Sequence, residues 1–480
     1  MRAVLALVLG VTLAVPAGGS GGAGDAGKLW LADRLEGTVS GAAATHHLAA
    51  WQRIADRTEG TRATGTRGFA QSADYLTRRL TDAGYRVTRQ PVPYQDFRFD
   101  AERITELTPN AAPIRTYLLR FSPTTPVGGI EAPVAVVPDT DPTPGCEPSD
   151  FAGLPVRGAV VLAPRGSCGL TRQEQVAAEA GARALLLYRI LPRPDNLYRT
   201  AVPNPAAATI PIATITQRRA QQLAADVAAS PVPIRLHLEL RGHTVSGITE
   251  NILAETAGGR SDRTVVAGAH LDSATEGPGL NDNASSAAAL LQTALALAPA
   301  QRRIRNKVRF AWWGAEELVI LGSTHYVANL TARQRSDIAL YLNWELLGSA
   351  NFGRFVMDGV GAPAGSTTVA AIFAGYYADR GLAHSTVPDA AIGSDHEPFA
   401  RAGIPTGGFH GGTTGIKTVE EERLFGGQAG QMYDSCYHQA CDRIESMSLA
   451  EFDRNTRAVA WLVGRFALDV DEVVAPLATT

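Results

Sequence analysis

From Thr264 onward, short unbroken apolar runs alternate with longer alanine- and leucine-rich stretches. Thr264–Ala269 (TVVAGA), Val308–Trp313 (VRFAWW) and Ile338–Trp344 (IALYLNW) have strand length and carry β-branched or aromatic residues, so each predicts a buried strand. Ser285–Ala298 (SSAAALLQTALALA) predicts a helix opened by a serine cap, and Phe452–Leu468 predicts a closing helix. Strands alternating with helices in this way predict an α/β fold: a mostly parallel or mixed sheet sandwiched by helices.

Upstream the texture differs. Ser72–Leu80 is amphipathic at helical spacing, is ended by Ala83-Gly84-Tyr85, and is followed by a strand at Arg86–Gln90. From about Thr108 prolines become dense, and apolar runs at Val134–Val137, Ala159–Ala163 and Ala184–Tyr188 surround a helical stretch at Glu174–Ala180. A disordered linker would not hold so many apolar runs, so residues 109–237 are expected to form an inserted β-rich α/β domain. Residues 26–108 and 238–472 then make up one discontinuous domain, as expected for a chain of 480 residues, too long for one ordinary core.

The first residues, MRAVLALVLGVTLAVPAGGSGG, carry one Arg, an apolar run from Ala3 to Ala14 and a small-residue exit. They predict a signal peptide and spacer over residues 1–25, cleaved near Ala17, and hence a secreted product with no membrane association after cleavage. In an oxidising compartment the four cysteines become a disulfide question. Cys146 and Cys168 lie 22 apart and Cys436 and Cys441 five apart, so two local bridges are the simplest of three pairings. A formal net charge of -3, with acidic and basic residues scattered, gives no reason to expect a nucleic-acid partner.

The candidate chemistry sits at the strand ends. His270 follows the first strand directly, Glu316 and Glu317 follow the second by three and four residues, and Glu345 ends the third. Carboxyl ends of parallel strands are where such sheets hold ligands. Zinc takes imidazole and carboxylate, and two zincs need one carboxylate to bridge them. Asp282, in the glycine-bounded turn GLNDN, is short enough to be held rigidly between metals. Glu316 and Glu317 are adjacent in a loop, so one can serve a metal and the other the attacking water as general base. His438 stands between Cys436 and Cys441, where a bridge would clamp its loop.

The runs HLDSATEGPGLNDNASS, FAWWGAEE, YLNWELLGS, GSDHEPF with AGIP, and GGQAGQMYDSCYHQACD resemble the secreted co-catalytic zinc aminopeptidases, a leucyl-aminopeptidase-like branch of the zinc exopeptidases. The middle region, with GCEPSDF, GAVVLAPRGSC and EAGARALLLY, resembles a protease-associated (PA) domain inserted in such peptidases. The resemblance implies two Zn2+ per chain: His270 and Glu345 on one, Glu317 and His438 on the other, and Asp282 across both. It implies Glu316 as general base, Tyr437 as hydrogen-bond donor to the developing oxyanion, and a cis peptide at Asp282-Asn283. Asp395 and His396 in GSDH are assigned to support rather than metal, and the motifs leave Ca2+ binding open. Family members commonly have aspartate where this chain has Glu345, whose extra methylene lengthens the arm that assists the substrate amine.

The expected function is that of a secreted, monomeric zinc aminopeptidase acting on peptides with a free N-terminus, with bulky apolar, Leu-like residues preferred. The alternatives are a carboxypeptidase or glutaminyl cyclase on the same fold, or a non-catalytic binding protein. Binding-only relatives have lost ligands, whereas this chain keeps the whole set.

Overall fold

The structure, a computed structural model, describes residues 26–108, 111–139, 142–190 and 194–474. The leader expected over residues 1–25 lies outside them. The chain forms two compact units, one comprising residues up to Pro93 together with those from Ile248 onward, the other Tyr94–Gly247. Two long strands, Arg86–Glu106 and Arg235–Glu255, carry the chain from one to the other.

In the first unit Arg260–His270 is the central strand, buried from Thr264 onward. It pairs in parallel with Asn306–Trp313 on one side and Ile338–Glu345 on the other, and Ile338–Glu345 pairs in parallel with Thr406–His410. The margins are antiparallel: Phe355–Met357 against Thr406–His410, and Ile252–Glu255 against Trp312–Arg309. The sheet is therefore mixed, with a parallel centre covered on both faces. One face packs Leu290, Leu291, Val459 and Phe466, from the helices Ser286–Leu297 and Leu449–Leu468, on Trp312, Leu340 and Leu342. The other packs Tyr326 and Phe399 on Trp313 and Tyr341, with the Phe399 and Tyr341 rings stacked 4.0 Å apart.

The Ser286–Leu297 helix exists because its sequence is apolar nearly all round and is enclosed on nearly every side. It does not open on the serine cap expected from the sequence. Ser285 is already in right-handed helical conformation, preceded by a wide turn, Leu280–Ser285. Its hydroxyl donates to the Asn281 carbonyl at 2.6 Å and accepts from the Leu347 N–H at 3.0 Å. The cap was displaced because that hydroxyl ties the Asp282 turn to the loop after Glu345.

In the second unit Ile130–Val136, Val160–Pro164, Ala184–Tyr188 and Ile212–Ile215 run parallel in that order, flanked by the helices Leu170–Glu179 and Gln217–Ala229. Cys146 is bonded to Cys168 here, and Cys436 to Cys441 in the first unit, with Cα separations of 5.8 and 5.3 Å. No described helix is long and apolar enough to cross a membrane.

Candidate metal centre

His270 and Glu345 end neighbouring parallel strands, in register through Asn343 opposite Gly268. The chain leaves these two strands in opposite directions, toward Asn306–Trp313 from one and toward Thr406–His410 from the other. Such a reversal opens a crevice at the carboxyl ends. Trp313 ends the strand paired with His270, so Glu316 and Glu317 enter the same crevice from its far side.

The side chains converge. His270 Nε2 lies 3.4 Å from Asp282 Oδ1, 3.4 Å from Glu345 Oε2 and 3.8 Å from Glu316 Oε2. His438 Nε2 lies 3.0 Å from Asp282 Oδ2 and 3.2 Å from Glu317 Oε2. Two donor groups result, His270 with Asp282 and Glu345, and Asp282 with Glu317 and His438; within each, all donor atoms lie within 4.8 Å of one another. Asp282 offers one oxygen to each group. The Tyr437 ring stacks on the His438 imidazole with centroids 3.9 Å apart.

The turn carrying Asp282 is built from its glycines. Gly279 has φ +62, and a Cβ there would meet Asp282 O at 2.4 Å; a Cβ on Gly277 would meet Gln439 O at 2.3 Å, so the turn closes directly on the His438 loop. The Asp282-Asn283 peptide is cis. Asp442 accepts the N–H groups of Asn281 at 2.7 Å and Asp282 at 3.0 Å. The buried Asn283 side chain donates to Trp344 O and accepts from Leu346 N–H, so the one sequon at this turn has its amide inside the protein. Ala315, Leu346 and His438 adopt positive φ of 58, 53 and 54 beside or within the donor set, where non-glycine residues rarely sit without a functional reason.

Four supporting side chains were not singled out from the sequence. Asp272, fully buried, accepts the backbone N–H groups of Glu316 at 3.1 Å and Glu317 at 3.3 Å, while its carbonyl meets His270 Nδ1 at 3.0 Å. It thereby sets the outer nitrogen of one candidate ligand and aims two others. Its position two residues after His270 in HLD was the available signal. Ser394 donates to Glu345 Oε1 at 2.5 Å, leaving Oε2 for His270, which is how the longer arm of Glu345 is held. Asp442 closes the run GGQAGQMYDSCYHQACD, which was its available signal, whereas the fully buried Arg62 had none. Asp395 accepts from Ser323 Oγ at 2.5 Å and is fully buried, and neither it nor His396 joins a donor group.

Charge decides what this cluster can hold. Asp282, Glu317 and Glu345 are largely buried with two histidines, and so many acids out of water require cations. Two sets of one imidazole and two carboxylates, with no fourth His, Cys, Asp or Glu donor in either set among the described residues, have the composition of catalytic rather than structural zinc sites. Without metal, protons do part of that work. Burial lowers the pKa of His270, but the Glu345 and Glu316 carboxylates outweigh it and hold it well above 6.5. His438 is raised likewise by Glu317 and Asp282 against its burial. A zinc ion must displace those protons, so metal uptake by the metal-free protein should release protons and tighten as pH rises, by up to about one unit of log K per pH unit for each histidine displaced. Calorimetric titration with zinc in buffers of different ionisation heat measures this; zero proton release between about pH 6 and 8 would contradict it.

Fold and donor set define the class, a zinc-dependent hydrolase with its centre at the carboxyl ends of a mixed α/β sheet. The chain belongs to peptidase family M28, which residues 251–463 match, and residues 130–223 match the PA domain. It is similar to a probable lipoprotein aminopeptidase, LpqL, of Mycobacterium tuberculosis, 36% identical over 454 residues covering 91% of this chain and 87% of that protein. It is also similar to leucine aminopeptidase 2 of Trichophyton equinum, 32% identical over 416 residues, 85% of this chain and 80% of that protein. BSAP, a zinc aminopeptidase from Bacillus subtilis, shares the fold with a TM-score of 0.67 at 21% identity, over 88% of this chain and 94% of that one.

Proposed function

We propose that this chain is an exported aminopeptidase that uses two zincs to remove bulky apolar residues from peptides with a free N-terminus. The observation that carries the reading is the division of Asp282: Oδ1 lies 3.4 Å from His270 and Oδ2 3.0 Å from His438, so one carboxylate serves both donor groups. His270 and Glu345 would hold the first zinc, Glu317 and His438 the second. Bound zinc supplies Lewis acidity and lowers the pKa of water at the site.

Glu316 is the general base. It belongs to neither donor group, and its carboxyl is pushed well above 4.5 by burial, then by Asp395, Glu317 and Glu345 against the opposing pull of His270. A carboxylate raised in this way accepts a proton from the attacking water and returns it to the leaving amine. Tyr437 keeps its proton, because burial and then the nearby carboxylates, Asp282 first, raise its pKa well above 10; it can therefore donate to the developing oxyanion. Glu345, anchored by Ser394, offers a negative charge for the substrate ammonium. The leucine preference draws support from the name of the Trichophyton relative, and export from that of LpqL.

The test is a pair of substrates, leucine p-nitroanilide and its N-acetylated form, assayed with and without a chelator. Cleavage of the free-amine substrate alone, abolished by chelation, is expected. Equal cleavage of the blocked substrate would overturn the aminopeptidase reading and favour a different exopeptidase or endopeptidase.

A further inference from the structure

A second place on the first unit, lined by none of the residues assigned above, has the composition of a binding site. A groove of about 330 Å³ is bounded by Arg53 and Arg57 of the helix Gly41–Arg57 and by Gln71, Asp74 and Arg78 of the helix Arg67–Asp82, with Ile54 and Tyr75 contributing apolar surface. Of the other arginines near it, Arg67 pairs with Glu59, Arg89 with Asp74 and Glu250, and Arg443 with Asp56, while Arg79, whose charge also acts on Tyr75, has no ion pair among the described residues and adds to the positive field of the groove. Arg53, Arg57 and Arg78 have no ion-pair partner among the described residues, and the one acid lining the groove, Asp74, is held by Arg89 at 2.6 Å. The Tyr75 hydroxyl is likewise engaged, 2.7 Å from His47 Nδ1.

Arg53 and Arg57 stand four apart on one helix, a like-charge spacing that weakens the helix unless something neutralises it. The cluster also runs against the sign of the whole chain, whose formal net charge is -3. Three guanidinium forks contributed by two helices exceed what one carboxylate can accept, since its two oxygens match a single fork. A tetrahedral oxyanion has acceptors for all three.

We propose that this groove binds a phosphate group, carried by a small phosphate ester or present as free phosphate, with the ester's organic part lying on Ile54 and Tyr75. The test uses the zinc-loaded full chain titrated calorimetrically with inorganic phosphate and with phenyl phosphate. Two variants of equal charge change are compared: Arg53→Gln/Arg57→Gln/Arg78→Gln in the groove, and Arg302→Gln/Arg333→Gln/Arg335→Gln at exposed positions elsewhere. Phosphate binding at a zinc site would be common to both variants, so only the difference between them reports on the groove.

The groove variant should lose at least about tenfold in affinity for phenyl phosphate while the control stays within about twofold of wild type. Leucine anilide hydrolysis should be unchanged in both. Flotation with phosphatidylglycerol vesicles is the second arm. Arginine-dependent flotation would place the phosphate on a lipid headgroup, and phosphate-ester binding without flotation would place it on a soluble ligand. Equal losses in the two variants, or no binding of either phosphate by the wild type, would overturn the proposal.

Discussion

Glu316→Gln is expected to lower kcat by about 10²- to 10⁴-fold while zinc content stays that of the wild type. The substitution keeps the shape of the side chain and removes only its capacity to take a proton. Its backbone N–H remains held by Asp272 Oδ1 at 3.1 Å, and the two donor groups do not include it, so the metal centre has no reason to change. Turnover of leucine p-nitroanilide measured alongside zinc per chain separates the two effects. A variant that keeps more than about a tenth of wild-type kcat would remove Glu316 from the role of base, and one that loses zinc would make it a ligand.

Arg62→Met is expected to be the most destabilising single substitution around the centre, costing about 3–5 kcal/mol. Arg62 is fully buried and donates through its guanidinium to the carbonyls of Leu271, Pro278 and Gly279, the last two at 2.8 and 2.6 Å, bracing the segment that leads from His270 to Asp282. Burial lowers its pKa to about 10, resisted by Asp442, Asp272, Asp282 and Glu317 in that order, so it remains a cation among those acids at neutral pH. Methionine fills comparable space but leaves the buried Leu271 and Pro278 carbonyls without the guanidinium donor, leaves Gly279 O with the Ala284 N–H alone at 3.2 Å, and takes the cation away from Asp442 and Asp272. In a thermal melt of the zinc-loaded protein the midpoint should fall by roughly 5–10 °C, and Arg62→Lys, which keeps the charge and loses the fork, should fall in between. A shift within about 1 °C for the methionine variant would show that the acids are balanced without Arg62.

Much of the centre was legible because its residues stand at the ends of apolar runs. His270 and Glu345 close two of them, and the short step from Trp313 to Glu316 and Glu317 leaves room for little but a loop at the same edge. Their convergence followed from parallel strands, whose carboxyl ends share one side. What was not legible depends on distant contacts. Arg62 is far in sequence from everything it holds, and nothing in TRATG distinguishes a buried arginine from a solvated one. Ser285 looked like a helix cap because serine before an alanine-rich run usually is one; here Asn281 and Leu347 compete for its hydroxyl and win.

The sequence predicts the strand Arg86–Glu106 only from Arg86 to Gln90, because Pro91 and Pro93 break the run, although burial alternates strictly from Pro91 to Asp96.

The central claim is that Asp282 joins two metal ions. Crystals of the protein grown with zinc, with data collected on either side of the zinc absorption edge, test it directly. Two anomalous peaks about 3.5–4 Å apart, one beside His270 and Glu345 and the other beside Glu317 and His438 with Asp282 between them, are expected. A single peak under the same saturating zinc, or two peaks that do not share Asp282, would contradict it.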